Sequence, residues 1–249
     1  MNAVRAERGL PEIAVPPLCV LDFDGDLFDD LARQGLSTPF PAWACFHTPL
    51  QVASFDGLAC GVIPRTIGGP YAVLIAEQLW AAGARLIVGL SSAGRVLPTL
   101  PLPSIVVADD AIRDEGTSLH YLPQSRSVAT PTLDAIDPLV HELRKVSTHV
   151  QAGRVWTTDA PYRETVEQLE HWASADVLAV EMQAASLFAF ARAREAHVAS
   201  VALVSNSVHP QSSAFDTGGH DFRVNVLAAI ARAARTFIAS TTDARVRHA

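Results

Sequence analysis

Between Val177 and Val208 the chain reads VLAVEMQAASLFAFARAREAHVASVALVSNSV, and this stretch restricts the fold more than any other. Two short apolar runs, Val177 to Val180 and Val198 to Val204, flank Met182 to Ala193, which is almost wholly apolar and rich in helix formers. Unbroken apolar runs of strand length belong to strands buried on both faces, so the segment reads as strand, helix, strand inside an α/β sheet. Glu181 is the ionisable group at the first junction, at the carboxyl end of a strand, where open α/β sheets place ligands. Ser205, Asn206 and Ser207 end the second strand. In a βαβ unit these two polar clusters face one crevice.

The remaining sequence sets the scale. A chain of 249 residues with 49% hydrophobic content buries one large core, so a single domain over 1–249 is expected, with a core from 17 to 239 and frayed ends. The net charge is −7, and Lys145 is the only lysine, so no basic stripe exists to follow a nucleic-acid backbone. Three cysteines, odd in number and set in apolar runs, suit reduced core residues and hence a cytoplasmic protein. The first 17 residues lack the apolar stretch of a signal peptide, and no run reaches the roughly 18 apolar residues of a membrane span. The nine histidines form no His-x-x-x-His pair or Cys/His cluster, so no metal site is expected.

Along the chain, Leu18 to Phe23 reads as a strand and Leu27 to Gln34 as a short helix. Trp43 to Phe46, Gln51 to Phe55 and Leu58 to Ile63 read as short strands, the last two joined by Asp56-Gly57, a strong hairpin turn. Tyr71 to Ala82 is helical, and Leu86 to Leu90 is a buried strand feeding a small-residue loop from Ser91 to Gly94. Ile105 to Ala108 follows as a strand, Gln124 to Thr132 as a mobile connection, and Asp137 to His149 as a helix. Val155 to Thr157 is a strand, Arg163 to Trp172 an exposed helix, and Asp221 to Ala239 a long closing helix. Strands alternating with helices, plus one antiparallel segment, favour a mixed central sheet with helices on both sides.

Several segments resemble the nucleoside phosphorylase superfamily. Val180-Glu181-Met182-Gln183-Ala184-Ala185, followed by Val204-Ser205-Asn206, is similar to its Val-Glu-Met-Glu-Ala-Ala helix start and the strand after it. Thr66-Ile67-Gly68-Gly69-Pro70-Tyr71-Ala72 resembles the TGIGGPSA turn, and Ser91-Ser92-Ala93-Gly94 the GTAG loop. Arg113 to Ser118 resembles R-x-x-G-x-S, and Thr158 to Tyr162 resembles T-D-x-F-Y. Gly25-Asp26-Leu27-Phe28-Asp29 stands where the family has its Gly-Asp-Pro-x-Arg phosphate loop. The matches keep the family's order from about Val20 to Ala239.

The resemblance implies an α/β fold with a partly barrel-like sheet and cleavage of the N-glycosidic bond of a small nucleoside by transfer to phosphate, with no cofactor. That chemistry builds positive charge on the sugar and negative charge on the base, so it needs hydroxyl-binding carboxylates and a donor near the base. By resemblance, Glu181 and Gln183 lie by the ribose, Met182 packs on the sugar, and Asn206 reaches the base. Thr66 and Gly68 lie against substrate, and Pro161 and Tyr162 stand where an aromatic stacks on the base. Gly25, Ser92 and Arg65 are candidates for holding an anion, with Ser91 beside them. The resemblance also implies a homo-oligomer, a dimer or trimer of dimers, in which His47 reaches the neighbouring site.

Three departures leave other readings open. Gln183 replaces a glutamate, which weakens the hold on the sugar hydroxyls. Asp29 and Gly89 stand where the family's two phosphate-binding arginines fall, and Asp22, Asp24, Asp26, Asp29 and Asp30 crowd the first loop, which favours water as acceptor; resemblance to the family's hydrolytic nucleosidases then implies Asp24 or Asp26 as general base. Loss of charged groups also fits a nucleoside-binding protein without turnover. Finally, Asp22-Phe23-Asp24-Gly25 resembles the first motif of haloacid-dehalogenase-type phosphohydrolases, with Asp22 as nucleophile. That reading lacks a lysine before the last acidic motif.

Overall fold

A computed structural model describes residues 2–45, 47–207 and 221–247, and of residues 2, 207 and 242–247 the backbone alone. Phe46, Val208, His209, His220 and His248 lie outside the described residues. The elements in order are α1 (Asn2–Glu7), β1 (Leu18–Asp22), α2 (Asp26–Arg33), β2 (Ser37–Pro39), β3 (Gln51–Phe55), β4 (Leu58–Pro64), α3 (Gly69–Ala81), β5 (Leu86–Arg95) and β6 (Ser104–Asp114). They continue with β7 (Ser127–Ala129), α4 (Ile136–Leu143), β8 (Val150–Thr158), α5 (Val166–Ala173), β9 (Ala179–Glu181), α6 (Ala184–Arg194), β10 (Val198–Ser207) and α7 (Phe222–Arg247).

These strands form one mixed sheet. Strands β5, β10, β6, β8 and β9 pair in a closed ring, and β1, β4, β3 and β2 extend from β5 as a side sheet. Leu18, Val20, Val88, Leu90 and Val201 on one face pack with Val226, Leu227 and Ile230 of α7. Leu21, Ile63, Ile87 and Val106 on the other pack with Leu187 and Phe188 of α6 and Ile75 and Leu79 of α3. The mixed, barrel-like sheet between helices is therefore the one the sequence implies. Its hairpin is also where expected: Asp56 and Gly57 take φ of 51° and 79°, the left-handed pair a tight β3–β4 turn requires.

Four local expectations are corrected. Elements β9, α6 and β10 follow one another, but the strands do not pair as a βαβ unit. Strand β5 lies between them, antiparallel to β9 and parallel to β10. Ser91 to Gly94 is not a loop, because β10 pairs along β5 as far as Arg95 and keeps it extended. The connection from Gln124 to Thr132 contains β7, held on β6. Trp43 to Cys45 form no strand, and β2 occupies the edge beside β3 instead. At the amino end, Arg5 is buried and donates to the carbonyls of Ala42 and Ile13 at 3.0 and 2.9 Å, tying α1 to the body. Helix α7 runs past Ala239 to Arg247.

Candidate active site

The carboxyl end of β5 organises the site. Gly94 is in register with Val180 of β9 on one side and Asn206 of β10 on the other, so both strand ends converge on it. A cavity of ≈ 320 Å³ opens there, lined by Phe23, Asp24, Ile67, Ser91, Ser92, Ala93, Gly94, Pro161, Glu164, Val180, Glu181, Met182, Gln183 and Asn206. Strand closure thus gathers eight of the sequence candidates: Asp24, Ser91, Ser92, Pro161, Glu181, Met182, Gln183 and Asn206.

Glu181 is 4% exposed and fully engaged. Thr157 Oγ1 donates to its Oε1 at 2.6 Å, and the amides of Gln183 and Ala184 donate to Oε2 at 2.7 and 2.9 Å. The carboxylate therefore caps the start of α6 while lining the cavity, which joins the capping role to the functional one. Burial pushes its pKa up to about 7 against those three donors, and nearby Glu115 adds to the rise. Gln183 is the residue at the start of α6, and its Oε1 accepts the Met182 amide at 3.2 Å.

Asp24, also in the cavity lining, is held by a second set of contacts. Asp24 Oδ2 accepts from Ser92 N at 3.0 Å and from Ser92 Oγ at 2.6 Å. Arg223, its side chain 4% exposed, brings Nη1 to the same oxygen at 3.4 Å and Nη2 to Ser92 Oγ at 3.2 Å and Asp26 Oδ2 at 3.1 Å. This cation comes from the first turn of α7 and was missed in the sequence. Its signal there is a positive residue at a helix start, where the dipole disfavours it unless acids lie opposite.

Glu164 was missed as well. It follows the turn Pro161–Arg163, lines the cavity, and has no hydrogen-bonding or ionic partner among the described residues. Burial without a partner raises its pKa to about 7.

Other candidates lie elsewhere. Tyr162 is wholly exposed, because its turn points it to solvent, so the aromatic stack expected from it is absent from the cavity wall. Thr66 is buried with Oγ1 unpaired, and Gly68 precedes α3; Ile67 between them supplies the wall. Gly25, with φ of 91°, turns the chain into α2 and packs under Arg65, whose guanidinium is at 2.5 Å from Asp29 rather than in the cavity. Asp26 opens α2 and pairs with Arg223 without lining the cavity. His47 borders a separate depression of ≈ 300 Å³ with Trp43, Cys45 and Leu50.

Asp22 is 0% exposed, with Oδ2 accepting the Phe28 amide at 2.9 Å and Oδ1 enclosed without a partner. A walled-in carboxylate cannot attack a phosphoryl group, which removes the phosphohydrolase reading. Among the described residues no helix is long and apolar enough to cross a membrane.

A closed mixed barrel flanked by helices, with its cavity at converging strand ends beside a helix-capping glutamate, is a scaffold for a small-molecule enzyme site. The chain belongs to the Phosphorylase superfamily, whose family profile matches residues 18–241. It is 30% identical over 156 residues to a guanosine phosphorylase of Halorubrum lacusprofundi, covering 63% of this chain and 64% of that protein. It is 27% identical over 169 residues to a uridine phosphorylase of Treponema pallidum, with 62% and 65% covered. A DeoD-type purine nucleoside phosphorylase of Exiguobacterium sp. is 22% identical over 154 residues, with 61% and 65% covered. The chain thus spans less than two thirds of the length of these relatives.

Proposed function

We propose that the protein cleaves the N-glycosidic bond of a nucleoside, and that a guanine nucleoside suits its cavity best. The observation that carries this is Glu164: a partnerless carboxylate in the cavity that also holds Glu181, Met182, Gln183 and Asn206. Guanine presents two adjacent donors, N1–H and the 2-amino group, and a carboxylate accepts both in a bidentate pair. Uracil places carbonyl oxygens on both sides of its one N–H, and adenine sets an acceptor beside its amino group, so both meet repulsion. The name of the Halorubrum relative agrees with this preference.

As the bond to the base breaks, Glu181 and Gln183 lie where a sugar's hydroxyls and rising positive charge need acceptors, and Asn206 donates toward the departing base. Base release from a panel of guanosine, inosine, adenosine and uridine tests the reading. Guanosine should lead, and no release from any of the four would refute it. Pentosyl transfer to phosphate is the second form of the reaction, favoured by the names of the relatives and by the Arg223 guanidinium behind the cavity-lining Asp24 and Ser92. We also propose a homo-oligomer, since His47 borders an open depression away from the cavity. A monomer by light scattering at micromolar concentration would count against it.

A further inference from the structure

The segment from Arg113 to Ser118 lies outside the cavity lining, yet it holds a second buried carboxylate. Glu115 is 7% exposed, and a carboxylate taken out of water needs donors. Ser118 N supplies one to its Oε2 at 3.0 Å. The other is Ser186 Oγ, in the first turn of α6, at 2.5 Å from the same oxygen. That turn is the one Glu181 caps through the amides of Gln183 and Ala184. Two carboxylates therefore grip one turn, Glu181 by its backbone at the cavity and Glu115 by a side chain from outside the lining. Both anchors of the outer grip are fixed. Arg113 donates from Nε to Ser118 Oγ at 2.8 Å and from Nη2 to the Leu122 carbonyl at 3.1 Å, which holds the segment. A Cβ at Gly69 would stand 2.2 Å from Ser186 Oγ, so the start of α3 closes on that hydroxyl as tightly as a glycine allows.

We propose that Glu115 is a positioning residue for Glu181: through Ser186 it sets the first turn of α6, and with it the point at which Glu181 meets the sugar; this rests on the glycosidic reading above. Glu181 takes two of its three hydrogen bonds from that turn, so a turn that drifts carries the carboxylate with it. A misplacement of about half an ångström at a reacting centre costs about tenfold in rate. Glu115 also acts through space. Burial is the main cause of the raised pKa of Glu181, and the like charge of Glu115 adds to it. Thr157, which faces Glu181 from β8, carries no charge, and Asp24 and Glu164 are the other ionisable groups of the cavity lining among the described residues. Removing the Glu115 charge therefore moves the titration of Glu181 to lower pH, whereas a residue that only filled space would leave it in place.

Two measurements test this. In the first, the Glu181 carboxyl is titrated by ¹³C NMR in glutamate-labelled protein, its resonance identified by its absence from Glu181→Gln. Glu115→Gln is isosteric and leaves one oxygen for both donors, so the fold is kept while the charge goes. The Glu181 midpoint should move to lower pH in this variant, and an unmoved midpoint overturns the proposal. In the second, base release from guanosine is followed at about pH 8, where Glu181 is mostly ionised. Ser186→Ala, which keeps the charge and cuts the link, should lower kcat by about tenfold with KM within about threefold. Added to Glu115→Ala it should cost less than about twofold more, because the two side chains act through one link. An unchanged kcat in folded Ser186→Ala, or losses that multiply in the double variant, overturns it. The titration needs no turnover and no Ser186 variant. If no nucleoside reacts, the glycosidic reading falls, and the titration alone still decides whether Glu115 acts on Glu181.

Discussion

Replacing Arg223 with methionine keeps much of the side chain's length and removes its charge, which isolates what the guanidinium does between α7 and the first loop. Breaking a buried ion pair costs about 3–5 kcal/mol when the remaining charge stays dry. Here the partners are only partly buried: the side chains of Asp24 and Asp26 are 29% and 52% exposed, so water screens much of what is left behind. The long 3.4 Å approach to Asp24 lowers the figure further. A loss of about 2–3 kcal/mol at neutral pH follows. For a chain of this size that lowers Tm by about 4–12 °C. Urea unfolding at neutral pH measures it, and Asp24→Asn in the Arg223→Met background should recover about 1 kcal/mol. A variant as stable as the parent, or no recovery in the double variant, would refute the view that Arg223 neutralises this loop.

Glu164→Gln should lower kcat/KM for guanosine by about 10² while leaving adenosine within severalfold, because the amide offers one acceptor and one donor to guanine's two donors. Equal losses for both bases would make Glu164 a structural residue. Glu181→Gln should cost about 10² or more in base release and also weaken the start of α6, so circular dichroism must accompany kinetics; an unchanged rate in folded protein would leave only the cap. Burial raises the pKa of Asp22 to about 7 from 3.8 and that of Glu181 to about 7 from 4.5. The unfolded chain therefore loses these protons first. Their contribution to stability is full below about pH 4 and is lost as pH rises to about 7, by on the order of 4 kcal/mol for Asp22. Asp22→Asn should flatten that part of a urea-stability profile between about pH 4 and 8, and a profile identical to the parent's would refute it.

What was legible in the sequence depended on local physics. The Asp56-Gly57 turn could be read because few residue pairs accept two consecutive left-handed conformations. Glu181 stood out because a carboxyl inside an apolar run must have a reason for its burial, and here it has two, the α6 cap and the cavity. The pairing of β9 with β5 could not be read. It follows from closing a ring of strands, and an apolar run looks the same whether its neighbour runs parallel or antiparallel. Ser91 to Gly94 misled for a related reason. Small residues signal a turn, but in β5 they answer to crowding, as Gly89 does beneath the Phe23 ring.

Glu164, which lines the cavity, and Arg223, which pairs with the cavity-lining Asp24 and Ser92, were hidden in different ways, and only one left a clear trace. Arg223 sits on a helix whose apolar pattern accounts for its other residues. Its cavity partners Asp24 and Ser92 lie 199 and 131 positions away, so nothing local names them. Glu164 was folded into a supposed helix beginning at Arg163. Yet Thr165 accepts from the Gln168 amide, and the Gln168 side chain accepts the Thr165 amide, a reciprocal cap that fixes the helix start at Val166. That Thr-x-x-Gln spacing is visible in the sequence. Taken as the helix boundary, it removes Glu164 from an exposed helix and sets it in the connection after Pro161, and binding residues are found disproportionately on such connections. The boundary of α5, rather than any resemblance, was the available pointer to the residue proposed to tell the bases apart.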